Sequence, residues 1–376
     1  MEALREAIRM HDIDTVVVAI TDMQGRLQGK RFHARYFLDE VVPHATEACA
    51  YLLAVDTEMN TVDGYEITSW ERGYGDFVLV PDLDTLRVIS WQPGTALVLA
   101  DVAAVGDHSP VRVSPRQVLK AQLAKAAEKG WTALSGTELE FVVYEGSYEQ
   151  AWDAGYRNLT PANRYNADYS VLGTGRIEPL LRDIRNSMAD AGLYVESAKG
   201  ECNLGQHEIA FKYDDALTTA DQHSIYKTGA KEIAARHGYA LTFMAKPNAA
   251  EGNSCHIHLS FRTTAGGAPV MAGTGPHGLS PAGESMIAGM LAGLHGLEGS
   301  IELPPPVTGN AYAMDELERV PGSLDEALAL WVSSPLARDA FGQDVVDHYA
   351  NMARVEIAAY AAAVTDWELR RYFERI

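Results

Sequence analysis

The sequence predicts an α+β protein in which a small β-rich domain precedes a larger domain of strands and helices. Short runs of apolar and β-branched residues dominate the first hundred residues, and strand and helix patterns alternate in the rest. The 376 residues are 47% hydrophobic, which is enough apolar material for a sizeable core. We place the domain boundary after residue 105, giving domains of residues 1–105 and 106–376.

The first domain is predicted from three strand patterns. These are Thr15–Thr21 (TVVVAIT), followed by a turn at Asp22–Gly25, then Phe77–Val80 and Thr95–Asp101. Beyond the boundary, Ser114 is a good N-cap with Pro115 at the first helical position, so a helix is expected from there to Gly130.

The second domain is predicted from an alternation of strands and helices. Apolar residues recur at helical spacing from Ile177 to Ala191, and a further helix should run from Thr218 to Arg236. Strands are expected around Glu138, at 240–244 and at 255–261. Two capping boxes, Ser323–Glu326 and Thr365–Glu368, predict helix starts near the C-terminal end of the sequence.

Composition excludes several kinds of partner. The formal net charge of −20 argues against nucleic acid, whose phosphates favour a basic surface. No apolar run has membrane-spanning length and the first residues lack a signal-peptide pattern, so we expect no membrane partner. Three cysteines without framework or Cys-x-x-Cys spacing favour a reduced, cytoplasmic protein.

Acidic and imidazole residues recur at short spacing in three segments. They are Glu138 and Glu140, Glu201 and Glu208, and His256 and His258. Residues i and i+2 of a strand point to the same face, and charges within apolar runs are costly to bury without compensation. Glu-x-Glu alone is usually a solvated face and His-x-His a hydrogen-bonded pair, but their joint occurrence favours a cation. Carboxylates with one or two imidazoles suit Mg²⁺ or Mn²⁺ better than structural Zn²⁺.

Four motifs occur in an order that resembles one known family. They are Gly136–Phe141 (GTELEF), Gly205–Tyr213 (GQHEIAFKY), Lys246-Pro247 and His256–Ser260 (HIHLS), followed by a C-terminal segment, Val364–Ile376. Together they resemble the glutamine synthetase family over nearly the whole chain. The resemblance implies an N-terminal β-grasp domain, a glutamine synthetase-type catalytic domain, and a cytoplasmic homo-oligomer, a dodecamer of two stacked hexameric rings.

The same resemblance implies roles for individual residues. Those implied to hold metal are Glu140, Glu201 and Glu208 for one ion, and Glu138 and His256 for a second. Those implied to contact ATP are His258, Ser260, Phe211 and Tyr213. Those implied to lie at the glutamate or amine substrate are Gly252, Glu251 and Asp63. The implied cofactors are ATP, as a substrate, and Mg²⁺ or Mn²⁺.

The implied reaction is ATP-dependent joining of the γ-carboxylate of glutamate to an amine through γ-glutamyl phosphate. The loop Asp63-Gly64-Tyr65-Glu66 is the nearest match to the family's typical Asp-Gly-Ser-Ser, and Ala198-Lys199-Gly200 precedes Glu201 where the family commonly has histidines. Glu251 replaces a usual Asn. We interpret these departures as a reshaped pocket, lined by Tyr65 or Trp70, for a primary amine, polyamine or amino alcohol. The alternatives are a true glutamine synthetase using ammonia and a non-catalytic binding or sensor protein.

One stretch of the family pattern is absent near residues 291–299. In the family it carries arginines that bind phosphate and the substrate carboxylate, a further metal-ligand Glu and a loop that closes over glutamate. No arginine occurs from Thr263 to Glu318, so the catalytic residues of this stretch are unassigned. Either the protein lacks the block, as the unbroken numbering suggests, or the printed sequence omits it. We favour omission, because a truncated domain would have no use for an intact metal-ligand set.

Overall fold

The structure, a computed structural model, describes residues 2–292, 314, 319–372 and 375. The chain divides into two compact units. Unit 1 comprises Met1–Ala48, Phe77–Val111 and Pro115–Pro269, and unit 2 comprises Cys49–Asp76, Arg112–Ser114 and Val270–Ile376. The boundary after residue 105 stays a prediction. The absent block near 291–299 falls almost entirely outside the described residues.

A six-stranded sheet is built from the N-terminal part of the chain. Its strands are β1 (Thr15–Thr21), β2 (Leu27–His33), β3 (Thr46–Cys49), β4 (Asp76–Pro81), β5 (Arg87–Val88) and β6 (Thr95–Ala104). The order is β2-β1-β6-β4-β3, with β5 also paired to β6. Strand β1 is parallel to β6 and antiparallel to β2. Val16, Val18 and Ile20 alternate onto the buried face of β1, which explains why this segment forms a strand.

A second six-stranded sheet, wholly antiparallel in its described pairings, positions the candidate site. Its strands are β7 (Trp131–Glu145), β8 (Val195–Gly200), β9 (Gln206–Phe211), β10 (Asp214–Asp215), β11 (Tyr239–Thr242) and β12 (Cys255–Thr263). The long strand β7 is its centre: β9 and β10 pair along one side, and β11 and β12 also pair with it. Ligands from several segments can therefore converge on β7.

Helices of unit 1 cover the sheets. They are α1 (Glu2–Arg9), the short pair α2 (Ala34–Tyr36) and α3 (Val42–His44) around a π-turn at Phe37–Val41, α4 (Pro115–Glu128), α5 (Tyr148–Asp153), α6 (Val171–Thr174), α7 (Glu178–Asp190) and α8 (Ala216–Arg236). The predicted apolar stripe of α7 is buried: Leu181, Ile184 and Met188 are 0% exposed and belong to the main core. Gly192 ends this helix with φ +86°, as a C-terminal glycine allows.

Unit 2 is mostly helical in its described part. Its helices are α9 (Pro281–Ala292), α10 (Leu324–Ser333), α11 (Pro335–Phe341), α12 (Gln343–Ala362) and α13 (Asp366–Tyr372). Ser323 caps α10 as predicted, but the Glu326 carboxylate accepts from the backbone of Gly322 rather than from Ser323. The capping box at Thr365 and Glu368 is complete. No described helix is both long and apolar enough to cross a membrane. The predicted α+β class is confirmed.

Candidate active site

The register of three strands assembles the candidate site. Glu140 of β7 lies opposite Glu208 of β9, and Glu138 of β7 lies opposite His256 of β12. Because Glu138 and Glu140 are two apart on one strand, they point to the same side of the sheet. Two neighbouring groups of ligands therefore result, one acidic and one mixed.

The acidic group consists of Glu140, Glu201 and Glu208. One carboxylate oxygen from each lies within 4.8 Å of the others. Glu140 and Glu208 are 9% and 7% exposed, and the Glu201 side chain, just after β8, is 12% exposed. Lys199 of β8 forms an ion pair with Glu201, and its Nζ lies 3.9 Å from the Glu208 carboxylate. These three carboxylates are the residues that the resemblance assigns to the first metal.

The electrostatics of this group show incomplete compensation. Burial raises the pKa of Glu208 to about 7, and the charges of Glu201 and Glu138 add to this rise while Lys199 opposes it. Burial alone would lower the pKa of Lys199, but its bonds to Glu201 and proximity to Glu208 hold that pKa above its usual value. With all three carboxylates ionised, the group and Lys199 together carry two excess negative charges.

Glu140 is fixed by the loop that carries the predicted substrate residues. Its carboxylate accepts hydrogen bonds from Ser254 N at 2.9 Å, from Ser254 Oγ at 2.6 Å and from Gln206 Nε2 at 2.9 Å. Gln206 also donates to the Gly252 carbonyl. A Cβ at Gly252 would come within 2.5 Å of the Ala245 carbonyl oxygen, so the close backbone approach there requires glycine. Glu251 is exposed, and its carbonyl accepts from Asn203.

The mixed group consists of Glu138, His256 and His258. His256 Nδ1 lies 2.9 Å and His258 Nε2 3.1 Å from different oxygens of the Glu138 carboxylate. The hydrogen bond from His256, helped by His258, holds the pKa of Glu138 below its usual value in spite of partial burial. The resemblance assigns Glu138 and His256 to a second metal and His258 to ATP, whereas here both imidazoles share one carboxylate.

A cavity of about 440 Å³ lies beside the mixed group. The four predicted ATP-contacting residues, Phe211, Tyr213, His258 and Ser260, all line it together with Glu138. Its lining includes both apolar and polar side chains, as is usual for a small-molecule pocket. The structure thus brings the predicted nucleotide residues and a predicted metal ligand into one cavity.

Three further residues of the site were not predicted from the sequence. Arg262 also lines the cavity, and the signal was available, because it continues the alternation His258, Ser260, Arg262 along β12. Lys199 was noted only within a departure from the family's histidines, although its i, i+2 spacing from Glu201 could have indicated that the two side chains lie on the same side. Ser254 adjoins a proposed substrate segment, but its bond to Glu140 joins positions 114 apart in sequence.

The residues predicted to lie near the amine substrate, Asp63, Tyr65 and Trp70, belong to unit 2. The Asp63 carbonyl accepts a hydrogen bond from Asn351 at 2.9 Å. Tyr65 is 5% exposed, its ring packs 4.6 Å from that of His348, and burial raises its pKa to about 12. Trp70 is 69% exposed. Of the two aromatic residues suggested for an amine pocket, Tyr65 is thus a packing residue of unit 2 and Trp70 is the accessible one.

The residues of the acidic group fit a hard divalent cation. Oxygen ligands from clustered carboxylates are those that Mg²⁺ and Mn²⁺ prefer. Three clustered carboxylates carry more negative charge than the single ammonium of Lys199 compensates, and a divalent cation would offset it. Glu140, Glu201 and Glu208 would hold the ion, and Glu138 with His256 would hold a neighbouring one.

Comparison with known proteins agrees with this geometry. The family model "Glutamine synthetase, catalytic domain" matches residues 112–292 and 290–372. The γ-glutamylethanolamide synthetase GlnA4 of Streptomyces coelicolor is 53% identical, over 100% of this chain and 96% of that protein. A glutamate–isopropylamine ligase of a Pseudomonas species is 32% identical, over 99% of this chain and 98% of that protein.

A solved structure described as "Apo GmaS without ligand" shares the fold. It has a TM-score of 0.85 and 24% identity, and the match covers 100% of both chains. The alignment with GlnA4 spans 445 positions whereas this chain has 376 residues, so at least 69 positions have no residue here. The two pieces of the family match meet at residues 290–292. The resemblance predicted from the motifs is confirmed: the chain belongs to the glutamine synthetase family.

Proposed function

We propose that this protein is an ATP-dependent ligase that joins the γ-carboxylate of glutamate to a small primary amine. The observation that carries the proposal is that strand β7 contributes Glu140 to a buried three-carboxylate group and, two residues away, Glu138 to the cavity lined by the predicted nucleotide residues. Carboxylate-held Mg²⁺ next to a nucleotide is a common arrangement for phosphoryl transfer.

The site residues have three proposed roles, which are to bind metal, ATP and the two other substrates. Glu140, Glu201 and Glu208 hold one divalent cation, and Glu138 and His256 hold another. Phe211, Tyr213, His258 and Ser260 bind ATP, and Gly252, with Glu251 beside it, binds glutamate through the loop that Glu140 fixes. The bound cations supply charge neutralisation for the phosphates. Mg²⁺ and Mn²⁺ are both suitable ions, and Asp63 is assigned to the amine.

The reaction follows from this arrangement. The γ-carboxylate of glutamate attacks the γ-phosphorus of ATP, giving γ-glutamyl phosphate and ADP. The amine then attacks the acyl carbon, and phosphate leaves as the amide forms. Water must be kept from the acyl phosphate, which would otherwise hydrolyse without giving product.

The amine is proposed to be an amino alcohol or alkylamine rather than ammonia. Two relatives that match 99–100% of the chain are named for an organic amine, one for the product γ-glutamylethanolamide and one for the substrate isopropylamine. This agrees with the interpretation of the altered Asp63–Glu66 loop as an organic-amine site. Ethanolamine is the proposed first choice, since the relative named for it is 53% identical.

A second candidate is a non-catalytic glutamate- or nucleotide-binding protein. It is favoured by one observation, the gap of at least 69 positions against GlnA4, where the family carries phosphate-binding arginines. We also propose the 1–105 segment as a β-grasp domain, a dodecamer of two hexameric rings as the assembly, and the cytoplasm as the location.

An amine panel tests the proposal. Phosphate release is measured with glutamate, ATP and Mg²⁺, and with ethanolamine, isopropylamine, putrescine or ammonium as acceptor. We expect ethanolamine or isopropylamine to support the highest kcat/KM, and Glu201→Gln to abolish release while the exposed control Glu128→Gln retains it. Faster turnover with ammonium would indicate a true glutamine synthetase. No release with any acceptor would favour the binding protein.

A further inference from the structure

Lys199 places a fixed positive charge among the proposed metal ligands. It is the penultimate residue of β8, and its ammonium group forms an ion pair with Glu201. The same Nζ lies 3.9 Å from the Glu208 carboxylate. Two of the three carboxylates assigned to the first metal are therefore already in contact with, or close to, a cation that belongs to the chain.

The Lys199 side chain also has neighbours outside the ligand group. Its Nζ lies 4.7 Å from the centre of the Tyr169 ring and 4.0 Å from the Asp168 carboxylate. The Lys199 side chain is 25% exposed and Tyr169 is 75% exposed, so this side of the lysine opens to solvent. A flexible four-carbon stem allows the ammonium to move toward Asp168 and Tyr169 without leaving favourable contacts.

A divalent cation and the Lys199 ammonium cannot both be favourable at Glu201. Both would interact with the Glu201 carboxylate, and two cations a few ångströms apart repel each other. The buried carboxylates in turn require some positive charge whether or not a metal is present. Lys199 satisfies that requirement in the metal-free protein.

We propose that Lys199 is an internal counter-cation of the metal-free centre, and that it must leave Glu201 and Glu208 before a metal ion binds there. This inference rests on the proposed function of Glu140, Glu201 and Glu208 as a metal site. Lys199 then lowers the affinity of the first metal and stabilises the carboxylates in its absence. It is a positioning residue that acts through the ligands rather than on the substrate.

Titration with Mn²⁺ alone tests the inference without relying on turnover. Binding is followed by the loss of the free-ion electron paramagnetic resonance signal in wild type and in Lys199→Met. We expect the Kd for Mn²⁺ to be about tenfold lower in the variant, because the ion then does not have to displace the Lys199 ammonium group from Glu201. We also expect the metal-free variant to melt at a lower temperature, and Mn²⁺ to raise its melting temperature more than that of wild type.

Lys212→Met is the matched control. Lys212 also stacks on a tyrosine, 5.0 Å from the centre of the Tyr194 ring, but forms no ion pair with the three carboxylates. Its Mn²⁺ affinity should equal that of wild type. If Lys199→Met does not fold, Lys199→Gln, which keeps hydrogen-bonding capacity without charge, should show the same tighter binding, and Lys199→Arg should bind as wild type does.

The possible outcomes separate the two proposals. Equal or weaker Mn²⁺ binding in the uncharged Lys199 variants, with wild type binding normally, overturns the counter-cation role and leaves the metal centre intact. Absence of Mn²⁺ binding in every protein overturns the metal centre itself and the inference with it. Tighter binding in Lys199→Met and in Lys212→Met alike would indicate a general charge effect and would also refute the inference.

Discussion

Arg116 forms ion pairs with three aspartates in a largely buried network, and its removal should destabilise unit 1 strongly. The guanidinium bonds to Asp221 through Nε at 3.0 Å and Nη2 at 2.9 Å, to Asp101 at 2.6 Å and to Asp82 at 2.6 Å. The side chains of Arg116 and Asp221 are only 5% and 7% exposed. The network joins helix α4 to the first sheet and to helix α8, whose burial supports the candidate site.

The size of the stability loss depends on which aspartates Arg116→Met would leave without a positive partner. Lys120 still pairs with Asp101, and Asp82, whose side chain is 24% exposed, can be hydrated. Asp221 would keep only the electrostatic influence of Arg87, and burial already raises its pKa although Arg116 opposes this rise. Breaking a buried pair by removing one partner costs about 3–5 kcal/mol, so we expect a loss of that size in the free energy of unfolding.

Equilibrium unfolding in urea measures this loss. Arg185→Met is the control, because Arg185 pairs with Glu178, whose side chain is 44% exposed, and should cost no more than about 1 kcal/mol. Adding Asp221→Asn to Arg116→Met should recover a large part of the lost stability, since it removes the uncompensated charge. A loss below about 1 kcal/mol for Arg116→Met, or no recovery in the double variant, would refute the reasoning.

Three further predictions concern the site and the chain. Because the pKa of Glu208 is raised in the folded protein, its protonation stabilises the metal-free protein fully below the unfolded pKa near 4.5, and this contribution is lost as the pH rises through about 7. The melting temperature of wild type should therefore fall as the pH rises over this range, and Glu208→Gln should make it depend less on pH. Tyr213→Ala should weaken ATP binding about fivefold, as measured by calorimetry. Tyr194 is an exposed tyrosine outside the cavity, so Tyr194→Ala should leave the ATP affinity unchanged. Equal ATP affinities of Tyr213→Ala and wild type would exclude Tyr213 from the nucleotide pocket. The intact mass of the purified protein should exceed 40.9 kDa if the printed sequence omits the family block, and a mass of 40.9 kDa would show that the protein lacks it.

Local sequence patterns predicted several strands and helices of the fold. The strand at Thr15–Thr21 and the helix ending at Gly192 follow from side-chain alternation and from a C-terminal glycine, both of which act within a few residues. The grouping of Glu140 with Glu208 could also be anticipated, but only through the resemblance. Nothing local indicates that β7 and β9 pair in the register that places these two residues opposite each other.

Contacts between distant segments could not be predicted. Lys199 lies beside Glu208 because β8 pairs with β9 in the register that places these two residues opposite each other. Glu138 contacts both His256 and His258 because β12 pairs with β7 across more than a hundred residues. The burial of Tyr65 against His348 likewise depends on packing between separate segments of unit 2. Each such contact is set by tertiary packing, which residue spacing does not encode.

The transfer of oxygen from glutamate to phosphate tests the central claim most directly. Glutamate labelled with ¹⁸O in its γ-carboxylate is incubated with ATP, Mg²⁺ and ethanolamine, and the products are analysed by mass spectrometry. If γ-glutamyl phosphate forms and the amine displaces phosphate, one ¹⁸O appears in each released phosphate and the other stays in γ-glutamylethanolamide. Unlabelled phosphate, or phosphate released without any amide, would contradict the proposed ligase.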